Sequence, residues 1–172
     1  IPIIKKNDPV NKIKEYIKGL IISLEKSDVR VFQDWTNNSP GFKFNEWEMK
    51  GVPIRIEIGQ RDIENNQVIL VRRDTGEKSQ LHKEEVLNKT QQTLEEIQKG
   101  LYKRALQFRD KNTHFVDNYK KFKEIISKGG FVRCGWDGQE ETEAMIKKDT
   151  KATIRCIPFD EKPRGLFCVF SG

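Results

Sequence analysis

The chain has 172 residues, and its hydrophobic fraction of 35% is below the ~45 to 50% usual for globular domains, although that reference counts glycine. This length suits one moderate domain or two small ones with modest cores. The formal net charge of +6 favours an anionic partner, above all nucleic acid, and the sequence lacks the run of ~18 apolar residues that a membrane-spanning helix needs.

The first third of the chain is predicted to alternate strands and helices. Residues 1–4 form a buried strand, and Asp8 and Pro9 then mark a helix start. Apolar residues follow at helical spacing: Ile13, Ile17, Leu20, Ile21 and Leu24. Residues 29–34 predict a second strand, which a right-handed crossover would place parallel to the first.

A short helix over residues 42–49 follows, because Ser39 can cap it and Pro40 suits its first position. The next predicted strand, residues 53–58, places three isoleucines on one face and Arg55 and Glu57 on the other. Because Arg55 then lies opposite the core, we expect its replacement by alanine to cost little stability. A loop over residues 59–66 and a hairpin about residues 74–76 complete this part.

Residues 82–110 predict a long amphipathic helix, which should link or pack two units. Beyond it the pattern predicts helices over residues 117–128 and 139–148 and strands over residues 131–134, 152–159 and 166–170. We therefore predict one domain of residues 1–110, including the linking helix, and a second, small α/β module of residues 111–172.

The positive charge lies mainly in the second half of the chain. Residues 1–86 hold 15 Lys/Arg against 14 Asp/Glu, a net of +1, whereas residues 87–172 hold 17 against 12, a net of +5. Residues 99–123 alone contain eight basic residues and two acidic ones. This run is either a solvated helix face or a contact for RNA phosphates, with Lys120 and Lys121 as candidates.

Motifs of known enzyme classes are missing. The chain has no GxGxxG, GxxxxGK[ST], HExxH or GxSxG, and no cysteine or serine adjoins His82 or His114. The three cysteines form no CxxC pair, which is typical of thiols in a reducing compartment, and the N-terminal apolar run is too short for a signal peptide. We expect a cytoplasmic protein with no catalytic residue; an unrelated enzyme that uses a cysteine is an alternative.

The segment of residues 39–62, SPGFKFNEWEMKGVPIRIEIGQRD, combines aromatic and charged residues on a short helix and strand. Phe44, Trp47 and Glu48 can share a helix face beside Arg55. Single-stranded RNA is bound by stacking bases on aromatic rings and by hydrogen bonds from charged side chains to base edges. The alternative is that the aromatics belong to the core and that Arg55 pairs with Glu57.

This segment, together with VRRDTGEK at residues 71–78 and KATIRCIPF at residues 151–159, resembles the C-terminal part of prolyl-tRNA synthetases of the archaeal and eukaryotic type, which some bacteria also carry. The resemblance implies an α/β fold: a five-stranded mixed sheet with flanking helices that binds the anticodon of tRNA(Pro), a long linking helix and a small C-terminal module. It implies that Phe44 stacks on an anticodon base, that Glu48, Arg55 and Asp62 bond base edges of two guanines, and that Lys78 contacts backbone or base.

The same resemblance sets expectations for cofactors and partners. Many relatives hold zinc through four cysteines, but the corresponding positions here are Asp137, Thr142, Cys168 and Ser171, so we expect no zinc. ATP with Mg would bind a class II catalytic core that is absent from this chain, so the chain alone should be an inactive fragment of a proline–tRNA ligase, which as a whole should be a homodimer. A free-standing synthetase-like RNA-binding or regulatory protein is the alternative.

Overall fold

The computed structural model describes residues 1–5, 8–159 and 167–172. These residues divide into two compact units, Ile1–Leu101 and Tyr102–Gly172. None of the helices in the described residues combines the length and the apolar character of a membrane span.

The first unit is a sheet covered by helices. Its elements, in chain order, are β1 (Pro2–Ile3), α1 (Val10–Glu25), α2 (Pro40–Met49), β2 (Ile54–Gly59), α3 (Gln60–Glu64), β3 (Gln67–Arg72), β4 (Lys78–His82), a 3-10 turn (Lys83–Glu85) and the part of α4 (Val86–Lys111) up to Leu101; the rest of α4 belongs to the second unit. The four strands lie in the order β1-β2-β3-β4. The first pair is parallel and the other two pairs are antiparallel, so the sheet is mixed as predicted.

The core of this unit lies between α1 and the sheet. Ile13, Ile17 and Leu20 recur at helical spacing on α1 and pack with Ile58 of β2 and Val68 of β3. Val86, the first residue of α4, is fully buried in the same cluster. Alternate residues of β2 therefore face this core, and the opposite face of the strand is turned toward α2.

Local signals in the sequence account for the element boundaries near α2 and the hairpin. The Ser39 hydroxyl accepts a hydrogen bond from the Phe42 amide at 3.4 Å, and Pro40 occupies the first helical position, as predicted. Between β3 and β4 the chain turns at Gly76, whose φ of +73° favours glycine. The hairpin is therefore confirmed.

Two predictions for this unit are wrong. Residues 29–36 form neither helix nor strand, so the described sheet has four strands instead of five and β1 pairs with β2 instead of residues 29–34. The β1 strand is only two residues long and Pro2 has no amide to donate, so it offers little ladder for another strand. The expected loop at residues 59–66 contains α3, whose first turn Asp62 stabilises.

The second unit contains β5 (Thr113–Phe115), α5 (Tyr119–Lys128), β6 (Phe131–Arg133) and α6 (Glu140–Thr150). The two strands pair in parallel, and Val116, Phe122 and Val169 form a small core. Both helices and the β6 strand were predicted, whereas β5 was not. Asn118 caps α5 with its side-chain oxygen, which accepts from the amides of Lys120 and Lys121 at 2.9 and 3.2 Å.

The two C-terminal strands are not observed in the described residues. Residues 152–159 have no regular structure, and most of them are exposed. Of residues 166–170, the first lies outside the described residues, and the others make only an isolated bridge between Cys168 and Gly135. β-branched and aromatic residues favour strands only where a partner strand completes the hydrogen-bond ladder, and this unit supplies a single bridge there.

Candidate RNA-binding site

Arg55 is at the centre of the segment that the sequence singled out. It lies within β2, and its side chain is only 10% exposed. Its Nη1 lies 2.5 Å from Glu48 Oε1, its Nε donates to Glu57 Oε1 at 2.9 Å, and its guanidinium lies 4.0 Å from the ring centre of Phe44. Helix α2 supplies two of these contacts because Phe44 and Glu48 are four residues apart and share a face. The guanidinium is therefore fixed on three sides.

Glu57 and Lys78 complete the same group. Glu57 lies two residues after Arg55 on β2, its side chain is 10% exposed, and its Oε1 is 3.8 Å from Lys78 Nζ. Strand register explains this approach, since Arg55 is paired with Val71 and Val71 with Lys78. Phe44, Glu48, Arg55, Glu57 and Lys78 are referred to below as the Arg55 cluster. It brings together four of the five predicted base-contacting residues.

Asp62, the fifth predicted residue, has a structural role at the start of α3. Its Oδ2 accepts a hydrogen bond from the amide of Gly59 at 2.7 Å, as a capping carboxylate does. Within the described residues, the Asp62 side chain makes no hydrogen bond to the Arg55 cluster. Its predicted contact with a base stays a prediction.

A second aromatic group surrounds Asp34 and was missed by the sequence analysis. Asp34 is 3% exposed, and its Oδ2 accepts from Trp47 Nε1 at 2.8 Å while Lys43 Nζ lies 3.8 Å from its Oδ1. Burial raises the pKa of Asp34, but hydrogen bonds from Thr36 and Trp47 outweigh it and hold that pKa below its ordinary value. The ring of Phe32 lies 4.4 Å from that of Trp47. The sequence did contain one signal for this group, because Phe32 falls on the same side of residues 29–34 as the charged Arg30 and Asp34.

The basic run of residues 99–123 is partly neutralised. Ion pairs join Lys99 to Glu95, Arg109 to Asp110 and Lys123 to Asp149, at 3.2, 2.6 and 3.4 Å. Lys120 and Lys121 are exposed in the first turn of α5, and neither makes an ion pair within residues 1–5, 8–159 and 167–172. They remain candidates for phosphate contact, and the prediction is untested.

The positions aligned with the zinc cysteines of the resembling family lie together in the second unit. Asp137 Oδ2 accepts from the hydroxyls of Thr142 and Ser171, both at 2.8 Å, and Oδ1 accepts from the amide of Gln139 at 3.1 Å. The amide of Gln139 and these hydroxyls lower the pKa of Asp137, and Cys168 also donates to it. With one thiol among the four side chains, the set lacks the N/S donors of a structural zinc site. Asp137, Thr142, Cys168 and Ser171 are called the Asp137 cluster.

Two family models match separate parts of the chain, in agreement with its division into two units. Residues 1–93 match the family model described as the anticodon binding domain, and residues 119–172 match the model described as prolyl-tRNA synthetase, C-terminal. Similar proteins include a proline–tRNA ligase of Phocaeicola vulgatus, 44% identical over 167 residues, which cover 96% of this chain and 34% of that protein. Another, of Cytophaga hutchinsonii, is 42% identical over 174 residues and all of this chain, 35% of its own length.

A proline–tRNA ligase of Flavobacterium johnsoniae is 41% identical over 174 residues, again with all of this chain and 35% of that protein. The chain thus spans about a third of the length of the curated relatives it matches. One family model covers more than half of the chain, and the relatives align along nearly all of it. The chain therefore belongs to the anticodon-binding domain family and corresponds to the C-terminal region of prolyl-tRNA synthetases.

Proposed function

We propose that this chain is the tRNA-binding part of a proline–tRNA ligase and that the Arg55 cluster contacts the two guanines of the tRNA(Pro) anticodon. The observation that carries the proposal is the position of the Arg55 guanidinium, held between two carboxylates and over Phe44. An arginine fixed in this way presents its remaining donors in one direction, which suits a flat, hydrogen-bonding ligand such as a base.

The chemistry of the cluster matches guanine. The two ion pairs use Nε and Nη1 of Arg55, so other N–H donors of the guanidinium are available for O6 or N7 of guanine. The side chain of Glu48 is 48% exposed and can accept hydrogen bonds from N1 and N2 of guanine, which adenine does not offer in that pattern. Phe44 supplies the apolar ring on which a base can stack.

The whole enzyme is part of this proposal. Its relatives bear the name proline–tRNA ligase, so we infer that a class II catalytic core, using ATP with Mg, lies in the part of those proteins outside the match. We further infer a cytoplasmic homodimer, without zinc in this region. The assignment to the archaeal and eukaryotic type rests on the motifs at residues 39–62 and 71–78, and the relatives named above are bacterial.

The test measures tRNA(Pro) affinity of the full-length enzyme carrying Arg55→Lys or Glu48→Gln, with normal anticodons and with each guanine replaced by adenine. Arg55→Lys keeps the charge opposite Glu57 but removes the planar fork, so we expect a loss of about 1 to 3 kcal/mol of discrimination at one guanine. Arg61→Lys, on the exposed surface of α3, is the matched control. Unchanged discrimination in both variants would overturn the assignment of this site.

A further inference from the structure

Phe32 is largely exposed although it packs against Trp47 of α2. Its ring is 68% exposed although it belongs to a segment that is well placed by hydrogen bonds at Asp34 and Thr36. One side of it contacts Trp47, with ring centres 4.4 Å apart and planes tilted by 42°. An aromatic ring left in water forgoes the free energy of burial, so a ligand that covers it gains that free energy.

Trp47 and Phe32 are held in place by buried polar contacts. Trp47 donates its indole N–H to Asp34, which also accepts from the amide and hydroxyl of Thr36. The ammonium of Lys43, itself buried, donates to the carbonyl of Asp34 at 3.3 Å. Asp34 thereby fastens the segment that carries Phe32 to the helix that carries Trp47. The ring of Trp47 is also contacted by the ammonium of Lys50, 4.3 Å from the ring centre, so Phe32 presents the exposed ring of the pair and Trp47 supports it.

This surface is continuous with the Arg55 cluster. Trp47 lies three residues after Phe44 and next to Glu48, so the three side chains occupy one side of α2. Trp47, Glu48 and Arg55 also line one small hollow together with Val52, Val71 and Arg73. An RNA strand whose base contacts Arg55 therefore brings its neighbouring nucleotide close to Trp47 and Phe32.

We propose that the exposed ring of Phe32, supported by Trp47, is a second stacking platform, which holds an unpaired base of the anticodon loop next to the guanines contacted by the Arg55 cluster. The inference rests on the proposed function, because it takes the tRNA anticodon loop as the ligand. Stacking on an aromatic ring tolerates any base, since every base has a π-face. The platform therefore adds affinity and positions the strand, whereas Arg55 and Glu48 supply the discrimination.

The experiment compares Phe32→Ala, Phe32→Tyr and Phe32→Leu in the full-length enzyme, with Phe42→Ala as the control. Phe42 is 57% exposed and lies on the opposite side of α2 from Trp47, so it matches Phe32 in type and exposure. The measurements are tRNA(Pro) affinity, affinity for the tRNA with guanine-to-adenine anticodons, and fluorescence of 2-aminopurine placed at each unpaired loop position. Thermal midpoints are recorded for every variant.

We expect Phe32→Ala to weaken binding about 5- to 150-fold, equally for all anticodons, and to relieve the quenching of one 2-aminopurine. Phe32→Tyr should keep both the affinity and the quenching because it retains the ring, whereas Phe32→Leu should lose both. Phe42→Ala should bind as the wild type does. The platform would be overturned if Phe32→Leu bound tRNA(Pro) as tightly as the wild type does, or if Phe32→Ala did so with the quenching intact. Either result would leave a protein partner as the occupant of the Phe32 ring. Arg55→Lys separates the two proposals. If Arg55→Lys loses anticodon discrimination while the Phe32 variants bind normally, only the platform is refuted.

Discussion

At the scale of single residues, the burial of Arg55 changes the expected consequence of removing it. The sequence pattern placed Arg55 and Glu57 on a polar face of β2, where alanine would cost little stability. In the structure, Phe44 and Glu48 of α2 cover that face, and the side chains of Arg55 and Glu57 are each 10% exposed. The premise of that expectation, an uncovered polar face, does not hold, and loss of Arg55 would leave Glu57 nearly buried with only Lys78, 3.8 Å away, as an ion-pair partner in the described residues.

We accordingly predict that Arg55→Ala lowers the free energy of unfolding by about 3 kcal/mol, the scale for breaking a buried ion pair by removing one partner. Urea unfolding followed by circular dichroism measures the change. The double variant Arg55→Ala with Glu57→Gln should recover part of the loss, since it removes the unpaired charge.

Glu48→Gln is the matched control at the exposed end of the same network. Because Glu48 is 48% exposed, we expect it to cost less than about 1 kcal/mol. An unfolding midpoint for Arg55→Ala equal to that of the wild type would contradict the prediction and would show that Glu57 is hydrated or paired without Arg55.

At the scale of elements, helical periodicity and turn residues were sufficient to predict the helices and the hairpin, whereas strand propensity alone was not sufficient to predict the strands. The apolar spacing on α1 and α4 predicted both helices, and Ser39, Pro40 and the turn at Gly76 predicted the start of α2 and the hairpin. The strands expected at residues 29–34 and 152–159 are absent because a strand depends on a partner distant in the sequence. Composition carries no information about that partner.

The same distinction applies to the candidate site. Phe44 and Glu48 could be grouped from their spacing on one helix, and Arg55 from strand alternation. The burial of Glu57 and the approach of Lys78 depend on the register of three strands, which the sequence alone does not specify. Asp34 was missed because its role arises from tertiary contacts with Trp47 and Lys43.

The Asp137 cluster makes a prediction for the C-terminal unit. Asp137 has a pKa below its ordinary value of 3.8, so it binds fewer protons when folded and adds stability at pH values above that value. Asp137→Asn should therefore lower the thermal midpoint of this unit at pH 7. The difference from the wild type should shrink as the pH falls below 3.8 and the folded carboxyl is protonated. The effect should be modest because Asp137 is exposed to water.

Two controls define this result. Asp117→Asn removes an exposed carboxylate of the same unit and should leave the midpoint unchanged. Chelator should also leave the wild-type midpoint unchanged, and elemental analysis should find no stoichiometric zinc, because the four side chains lack the required thiolates. Zinc near one per chain would contradict the interpretation of this cluster as a hydrogen-bonded replacement for a metal.

At the scale of the whole molecule, the net charge of +6 lies mostly in the second half of the chain, away from the sequence segment of the Arg55 cluster. We predict that Lys120→Glu with Lys121→Glu weakens cognate and non-cognate tRNA alike. It should reduce the slope of log affinity against log salt by about 1 to 2, since each phosphate contact releases about one counterion. Titrations at several salt concentrations measure the slope.

Lys147→Glu with Lys148→Glu provides the matched control, because it makes the same charge change on α6 of the same unit. A similar loss in both double variants would indicate a general effect of net charge. An unchanged slope for the α5 variant would assign Lys120 and Lys121 to a solvated helix face.

The fixed guanidinium of Arg55 has a consequence for the timing of recognition. A free arginine side chain carries about 2 kcal/mol of rotamer entropy, and here the ion pairs and the Phe44 ring have already removed most of that freedom during folding. An anticodon that docks on this side chain therefore does not have to order it. Encounter rates should then be nearly the same for correct and incorrect anticodons, and the difference between them should lie in how long each complex lasts.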